Sequence, residues 1–173
     1  MTHGLVIVNT GDGKGKTTAA LGLALRAWGD GLRVLILQFL KSNRTTGEKS
    51  AIGMIREQFG GIELRSCGLG FTNRKGDHEE AAKAALCEAK TAIKCGVWDM
   101  VILDEINYAV RAGLLTDEDI RHLLDLRPEN LHLVFTGRGI PDVLRERADL
   151  ITEMQCLRHP YEKGITAQKG IEY

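Results

Sequence analysis

Residues 10–18 read Thr10-Gly11-Asp12-Gly13-Lys14-Gly15-Lys16-Thr17-Thr18, and the helical run Ala19-Ala20-Leu21-Gly22-Leu23-Ala24-Leu25 follows directly. Glycines at 11, 13 and 15 let the backbone turn its N–H groups inward as an anion nest, and the new helix points its positive end at the same spot. The natural occupant is a polyphosphate. Lys16 would meet its oxygens as a point charge, and the Thr17 hydroxyl would be a Mg²⁺ ligand. The loop departs from the common G-x-x-x-x-G-K-[ST] pattern, because Thr10 stands where that pattern has its first Gly. Lys14 is open to two readings, a second phosphate contact or a solvated loop lysine.

Two more segments offer chemistry at strand ends. Met100-Val101-Ile102-Leu103 runs into Asp104-Glu105, which places two carboxylates where ligands of open α/β sheets bind. They either serve Mg²⁺, directly or through a neighbour, or cap a helix starting near Asn107. Thr136-Gly137-Arg138-Gly139 closes the run 131–135. Its Arg138 would stabilise charge on a phosphate or an acidic substrate, or is an exposed turn residue. In Cys67-Gly68-Leu69-Gly70-Phe71-Thr72-Asn73, the aromatic Phe71 follows glycines at 68 and 70, and local chemistry leaves core packing and a ligand-facing role both open. His3, His78, His122, His132 and His159 show no ligand spacing, and no Ser/His/Asp or Cys/His arrangement offers a protein nucleophile.

The elements that must position these residues are legible from periodicity. Apolar runs at 5–8, 34–37, 100–103 and 131–135 read as strands buried on both faces, the mark of a parallel sheet. Weaker strands are expected at 61–65 and 150–154. Between them lie helical patterns at 17–28, 48–59 and 78–95, the last carrying Ala82, Ala85, Leu86, Ala89 and Ile93 on one stripe with Asp77 as its cap and Gly96 at its end. A further helix should run over 117–126 behind Thr116, and a short one should follow Pro141. The tail after Met154 reads as a surface loop. This alternation predicts an α/β, three-layer P-loop (RecA-like) fold with a mostly parallel central sheet of about six strands.

Composition sets the limits. The 173 residues fit one domain, 1–173. The 23 basic residues balance 23 acidic ones, so the charge excess of a nucleic-acid binder is missing and none is expected as partner. The first apolar run is too short for a signal peptide or a membrane span, which predicts a cytoplasmic protein. Cys67, Cys87, Cys95 and Cys156 lack zinc spacing and read as reduced thiols.

The segments together resemble the P-loop family of ATP:corrinoid adenosyltransferases from end to end. The matching stretches are Thr10 through Ala20, Gln38-Phe39-Leu40-Lys41, Gly70-Phe71-Thr72, Val101-Ile102-Leu103-Asp104-Glu105, Thr136-Gly137-Arg138-Gly139, Ala148-Asp149 through Glu153-Met154, and Gly164 with Ala167-Gln168 and Gly170-Ile171-Glu172-Tyr173. The resemblance implies transfer of the 5′-deoxyadenosyl group of ATP to the cobalt of a reduced corrinoid, with triphosphate as leaving group, in adenosylcobalamin biosynthesis or salvage. A small-molecule kinase or NTPase is the competing reading.

Carried over by residue, the resemblance implies that Gly11, Asp12, Gly13, Lys14, Gly15, Lys16, Thr17 and Thr18 bind the triphosphate, in an orientation opposite to ordinary P-loop enzymes. Thr17 and Glu105 would hold Mg²⁺, Arg138 would contact phosphate or substrate, and Arg26 matches a family arginine on ATP. Lys16, Thr17, Glu105 and Arg138 form the implied catalytic set. Phe71 would lie against the corrinoid and keep a lower axial ligand off cobalt. Three departures stand out: Asp12 where relatives often have Asn, Asn73 where they often have Trp in the corrinoid pocket, and no N-terminal helical extension before the first strand. A homodimer and an electron-donor flavoprotein are the implied partners.

Overall fold

The computed structural model describes residues 3–41, 45–68 and 75–171. Six strands, β1 (Val6–Thr10), β2 (Val34–Gln38), β3 (Ile62–Ser66), β4 (Met100–Asp104), β5 (His132–Thr136) and β6 (Leu150–Glu153), form one sheet in the order β3-β2-β4-β5-β1-β6. Every pairing is parallel, so each connection must cross back over a face of the sheet, and helices occupy both faces. This is the three-layer α/β architecture expected from the alternating pattern.

The sheet faces follow from strand periodicity. Ile7, Val34, Ile36, Met100, Ile102 and Val134 point toward α1 (Lys16–Gly29) and α2 (Gly47–Phe59), packing on Ala20, Ala24, Ala27 and Ile52. The alternate residues, among them Val8, Leu37, Leu103 and Phe135, meet α3 (Lys75–Lys94), α4 (Ile106–Arg111), α5 (Asp117–Asp125) and α6 (Asp142–Arg147). Small residues on α1 let that helix lie close to the sheet, which draws its N-terminus in against the strand ends.

Local signals set several boundaries. Thr116 caps α5 in a reciprocal box, accepting from Asp119 N while the Asp119 carboxylate accepts from Thr116 N, worth about 1 kcal/mol. Gly96 (φ 66°) follows the last turn of α3 as expected. Asp77 does not cap α3: the helix begins at Lys75, so Asp77 lies inside the first turn, where its charge still favours the positive helix end. Pro141 occupies the N-cap position of α6 with an extended ψ of 146°. The tail after β6 is not wholly irregular, since a 3-10 turn spans Pro160–Lys163, capped by the His159 side chain. Among the described residues, no helix is long and apolar enough to cross a membrane.

Candidate active site

All six strands end at one edge of the sheet, and the polar residues of the chain's interior gather there. The loop leaving β1 wraps the N-terminus of α1. The Lys16 ammonium is folded back onto that loop, donating to Gly11 O at 2.7 Å and Gly13 O at 2.6 Å, and its side chain is buried. Burial pulls its pKa below the ordinary lysine value, with Glu105 and Asp12 opposing and Arg138 adding to the fall. The loop is braced from behind by the chain leaving β6. Gly11 holds a φ of 96°, and a Cβ there would come within 2.4 Å of Met154 O. The Gly13 N–H donates to Met154 O at 2.7 Å. That amide therefore points away from the nest, so not every glycine amide of the loop turns inward as expected from sequence.

Asp104, at the end of β4, is 1% exposed and forms the hub of the site. Its Oδ1 accepts from the Thr17 hydroxyl at 2.8 Å and the Thr136 hydroxyl at 2.7 Å, and its Oδ2 accepts from Gln38 Nε2 at 3.3 Å. Lys41 Nζ lies 3.7 Å from the same Oδ2. Hydrogen bonds to a charged group are each worth about 1.5–3 kcal/mol net, so the carboxylate is locked in place by its neighbours. Because Thr17 spends its proton on Asp104, the hydroxyl's lone pairs remain for a cation.

Glu105 stands differently. It is the one non-glycine residue with positive φ, at 64°, among the described residues, a left-handed conformation that costs about 1–3 kcal/mol and is kept where surroundings enforce it. Its N–H donates to Thr136 Oγ1 at 2.9 Å. It occupies the N-cap position of α4 but its side chain makes no capping bond, which removes the reading that it merely caps that helix. Burial, followed by repulsion from Asp104, raises its pKa, while Lys16, Lys41 and Arg138 oppose the rise. Thr17, Asp104 and Glu105 offer only hard oxygen donors, which fit Mg²⁺ completed by phosphate and water rather than an all-protein cage. Among the described residues no three His, Cys, Asp or Glu converge as such a cage.

Arg138, after β5, reaches across to the phosphate loop: its Nη2 donates to Asp12 O at 3.4 Å, and its Nε lies 3.9 Å from Asp12 Oδ1. A Cβ at Gly137 would meet Tyr108 N at 2.8 Å, so glycine there is what allows this loop to lie against α4. The fold thus brings Lys16, Thr17, Asp104, Glu105, Arg138 and Asp12 together. Lys14 and Thr18 are exposed beside them. Arg26 is not with them, since it sits exposed in the last turn of α1, about 15 Å along the helix from Lys16. Phe71 and Asn73 lie outside the described residues. Gln38, Lys41, Thr136 and Met154 received no role from sequence reasoning. Their signals were position, each at or just past the carboxyl end of a strand, and membership of the segments that match the family.

Comparison with known proteins agrees with this geometry. The model of the family described as ATP:corrinoid adenosyltransferase BtuR/CobO/CobP matches residues 2–173. A corrinoid adenosyltransferase of Sinorhizobium sp is 39% identical over 175 residues, spanning 98% of this chain and 80% of the relative. The corrinoid adenosyltransferase of Escherichia coli (strain K12) is 37% identical, over 99% of this chain and 86% of its own length. Corrinoid adenosyltransferase CobA of Salmonella typhimurium is 36% identical with the same coverage. With a match that spans the phosphate loop, the acidic strand end and the Arg138 loop alike, the chain belongs to the ATP:corrinoid adenosyltransferase family.

Proposed function

We propose that this chain transfers the 5′-deoxyadenosyl group of ATP to the cobalt of a reduced corrinoid, in adenosylcobalamin biosynthesis or salvage. The electron pair of Co(I) attacks the ribose C5′, the C5′–O5′ bond breaks, and triphosphate leaves with the bonding pair. The nucleophile thus arrives with the second substrate. The observation that carries this reading is the joining of the phosphate loop to Asp104 through Thr17, in a chain of this family.

The residues' tasks are positioning and charge stabilisation. The loop 11–18 holds the triphosphate with Lys16 as its buried cation. Thr17 and Glu105 hold Mg²⁺, with Asp104 fixing the Thr17 hydroxyl. When bound, the ion spreads the phosphate charge that grows as the leaving group departs. Arg138 adds a second cation from β5 and ties its loop to Asp12. Arg26, remote in this chain, has a family role on ATP that requires either a substrate reaching along α1 or a neighbouring subunit. Phe71 and Asn73 are assigned to the corrinoid by the family resemblance alone, and Asn73 in place of Trp would leave one aromatic wedge fewer to displace a lower axial ligand.

The protein acts in the cytoplasm as a homodimer, with a flavoprotein supplying the electrons that bring the corrinoid to Co(I). An anaerobic assay with chemically reduced cob(I)alamin, ATP and Mg²⁺ tests the reaction. A light-sensitive cobalt–carbon product with stoichiometric triphosphate is expected. ADP without corrinoid product would replace the proposal with phosphoryl transfer.

A further inference from the structure

Lys41 stands three residues past β2, at the same edge as the phosphate loop, and neither the loop motif nor the acidic strand end assigns it a task. Its ammonium is 3.7 Å from Asp104 Oδ2 and 3.3 Å from Glu48 Oε1, with the side chain 35% exposed. Asp104 in turn holds the Thr17 hydroxyl, so Lys41 is one carboxylate removed from the hydroxyl that faces the metal and phosphates. Lys16, Lys41 and Arg138 come from three separate strand ends, and all three act electrostatically on Glu105. Lys16 and Arg138, like Lys41, already have partners within the protein. Lys16 spends two donors on loop carbonyls, and Arg138 reaches Asp12.

We infer that Lys41 is a third cation of the triphosphate site, reaching the leaving group from the β2 side beside Asp104, with Glu48 drawing on the same ammonium until the phosphate arrives. The inference rests on the proposed binding of triphosphate at this loop. Cleavage at C5′ adds a negative charge to a group that is already highly anionic, and a partly desolvated lysine beside it is worth far more than one in bulk water. An ammonium carries three donors, so contacts to Asp104 and Glu48 leave one for a phosphate oxygen. Glu48, in the first turn of α2, competes for the same ammonium.

That competition separates a substrate-facing role from a structural one. Calorimetric titration of the full-length protein with Mg²⁺-tripolyphosphate should show Lys41→Gln weakening binding about tenfold, the loss of one charge-assisted contact, with Lys41→Arg restoring most of it. Glu48→Gln should leave affinity unchanged or tighten it, because it frees the ammonium. If Glu48→Gln weakens binding as much as Lys41→Gln, Lys41 serves only to anchor α2 and the inference fails. Unchanged affinity in Lys41→Gln, with wild-type binding intact, overturns the inference alone. No binding by the wild type overturns it together with the proposed triphosphate site.

Discussion

The Thr17 hydroxyl donates a 2.8 Å hydrogen bond to Asp104 Oδ1 across 87 positions of sequence. The bond joins the first turn of α1 to the end of β4, and it leaves the hydroxyl oxygen, not its proton, to face a cation. Asp104→Asn keeps the shape but puts an amide where four donors now converge. The Mg²⁺ concentration giving half-maximal turnover should rise at least about tenfold, and unfolding free energy should fall by about 2 kcal/mol. An unchanged Mg²⁺ midpoint would show that Asp104 does not orient the metal-binding hydroxyl.

The proposed role of Glu105 comes with a strained backbone. Glycine adopts φ 64° freely, so Glu105→Gly should hold or raise stability by up to about 1 kcal/mol while turnover collapses. Denaturant titration beside the activity assay reads both. A variant that loses stability and keeps turnover would reverse the assignment.

At Gly11 the strain runs the other way. An added Cβ faces Met154 O at 2.4 Å as well as a φ of 96°, so Gly11→Ala must displace either the loop or the chain leaving β6. ATP binding should fall by at least about tenfold and stability by about 1–3 kcal/mol. Wild-type affinity in this variant would mean that the loop does not need its brace.

Acid should weaken one ion-pair cluster on β3. The hydrogen bond from Arg65 to Glu63, at 2.9 Å, is the main cause lowering the Glu63 pKa, followed by the field of Arg65 and then Arg56, against burial. A depressed folded pKa means stability present above the ordinary value of 4.5 and lost as pH falls through the folded pKa. Glu63→Gln should therefore cost about 1 kcal/mol at neutral pH, with the difference from wild type closing below pH 4.5. A gap that stays constant down to acid unfolding would rule out the pair as its source.

The cysteines should differ in reactivity. Burial, then the hydrogen bond from its Sγ to Glu88 Oε2 at 3.3 Å, pushes the Cys67 thiol up to about 12, whereas Cys87, Cys95 and Cys156 are exposed. Iodoacetamide at pH near 8 attacks the thiolate, so peptide mapping should find Cys67 labelled last, and faster after Glu88→Gln. Early labelling of Cys67 would mean that neither burial nor the Glu88 bond protects its thiol.

The sequence by itself determined what is written within a short stretch of chain. Strand, glycine-rich loop, Lys16-Thr17 and helix occupy one continuous segment, so this strand–loop–helix unit was legible from residues 5–28 alone. The continuous apolar runs likewise named the central strands, because burial on both faces leaves no polar alternation, and Thr116 with Asp119 marked its own helix start. The boundary of α3 was less legible, since Asp77 suits a first turn as well as a cap.

Tertiary structure alone decided which ends meet. Apolar runs of similar length carry no instruction about their neighbours, and only the order β3-β2-β4-β5-β1-β6 puts Asp104 beside Thr17 and Arg138 beside Asp12. It also turned the Gly13 amide toward Met154, gave Glu105 its left-handed backbone and carried Arg26 to the far end of α1. Hydrogen-bonding side chains act over about 3 Å, while the residues that meet here are separated by scores of positions. Their pairing follows from how the crossover helices bury the sheet, which is a property of the whole chain rather than of any motif within it.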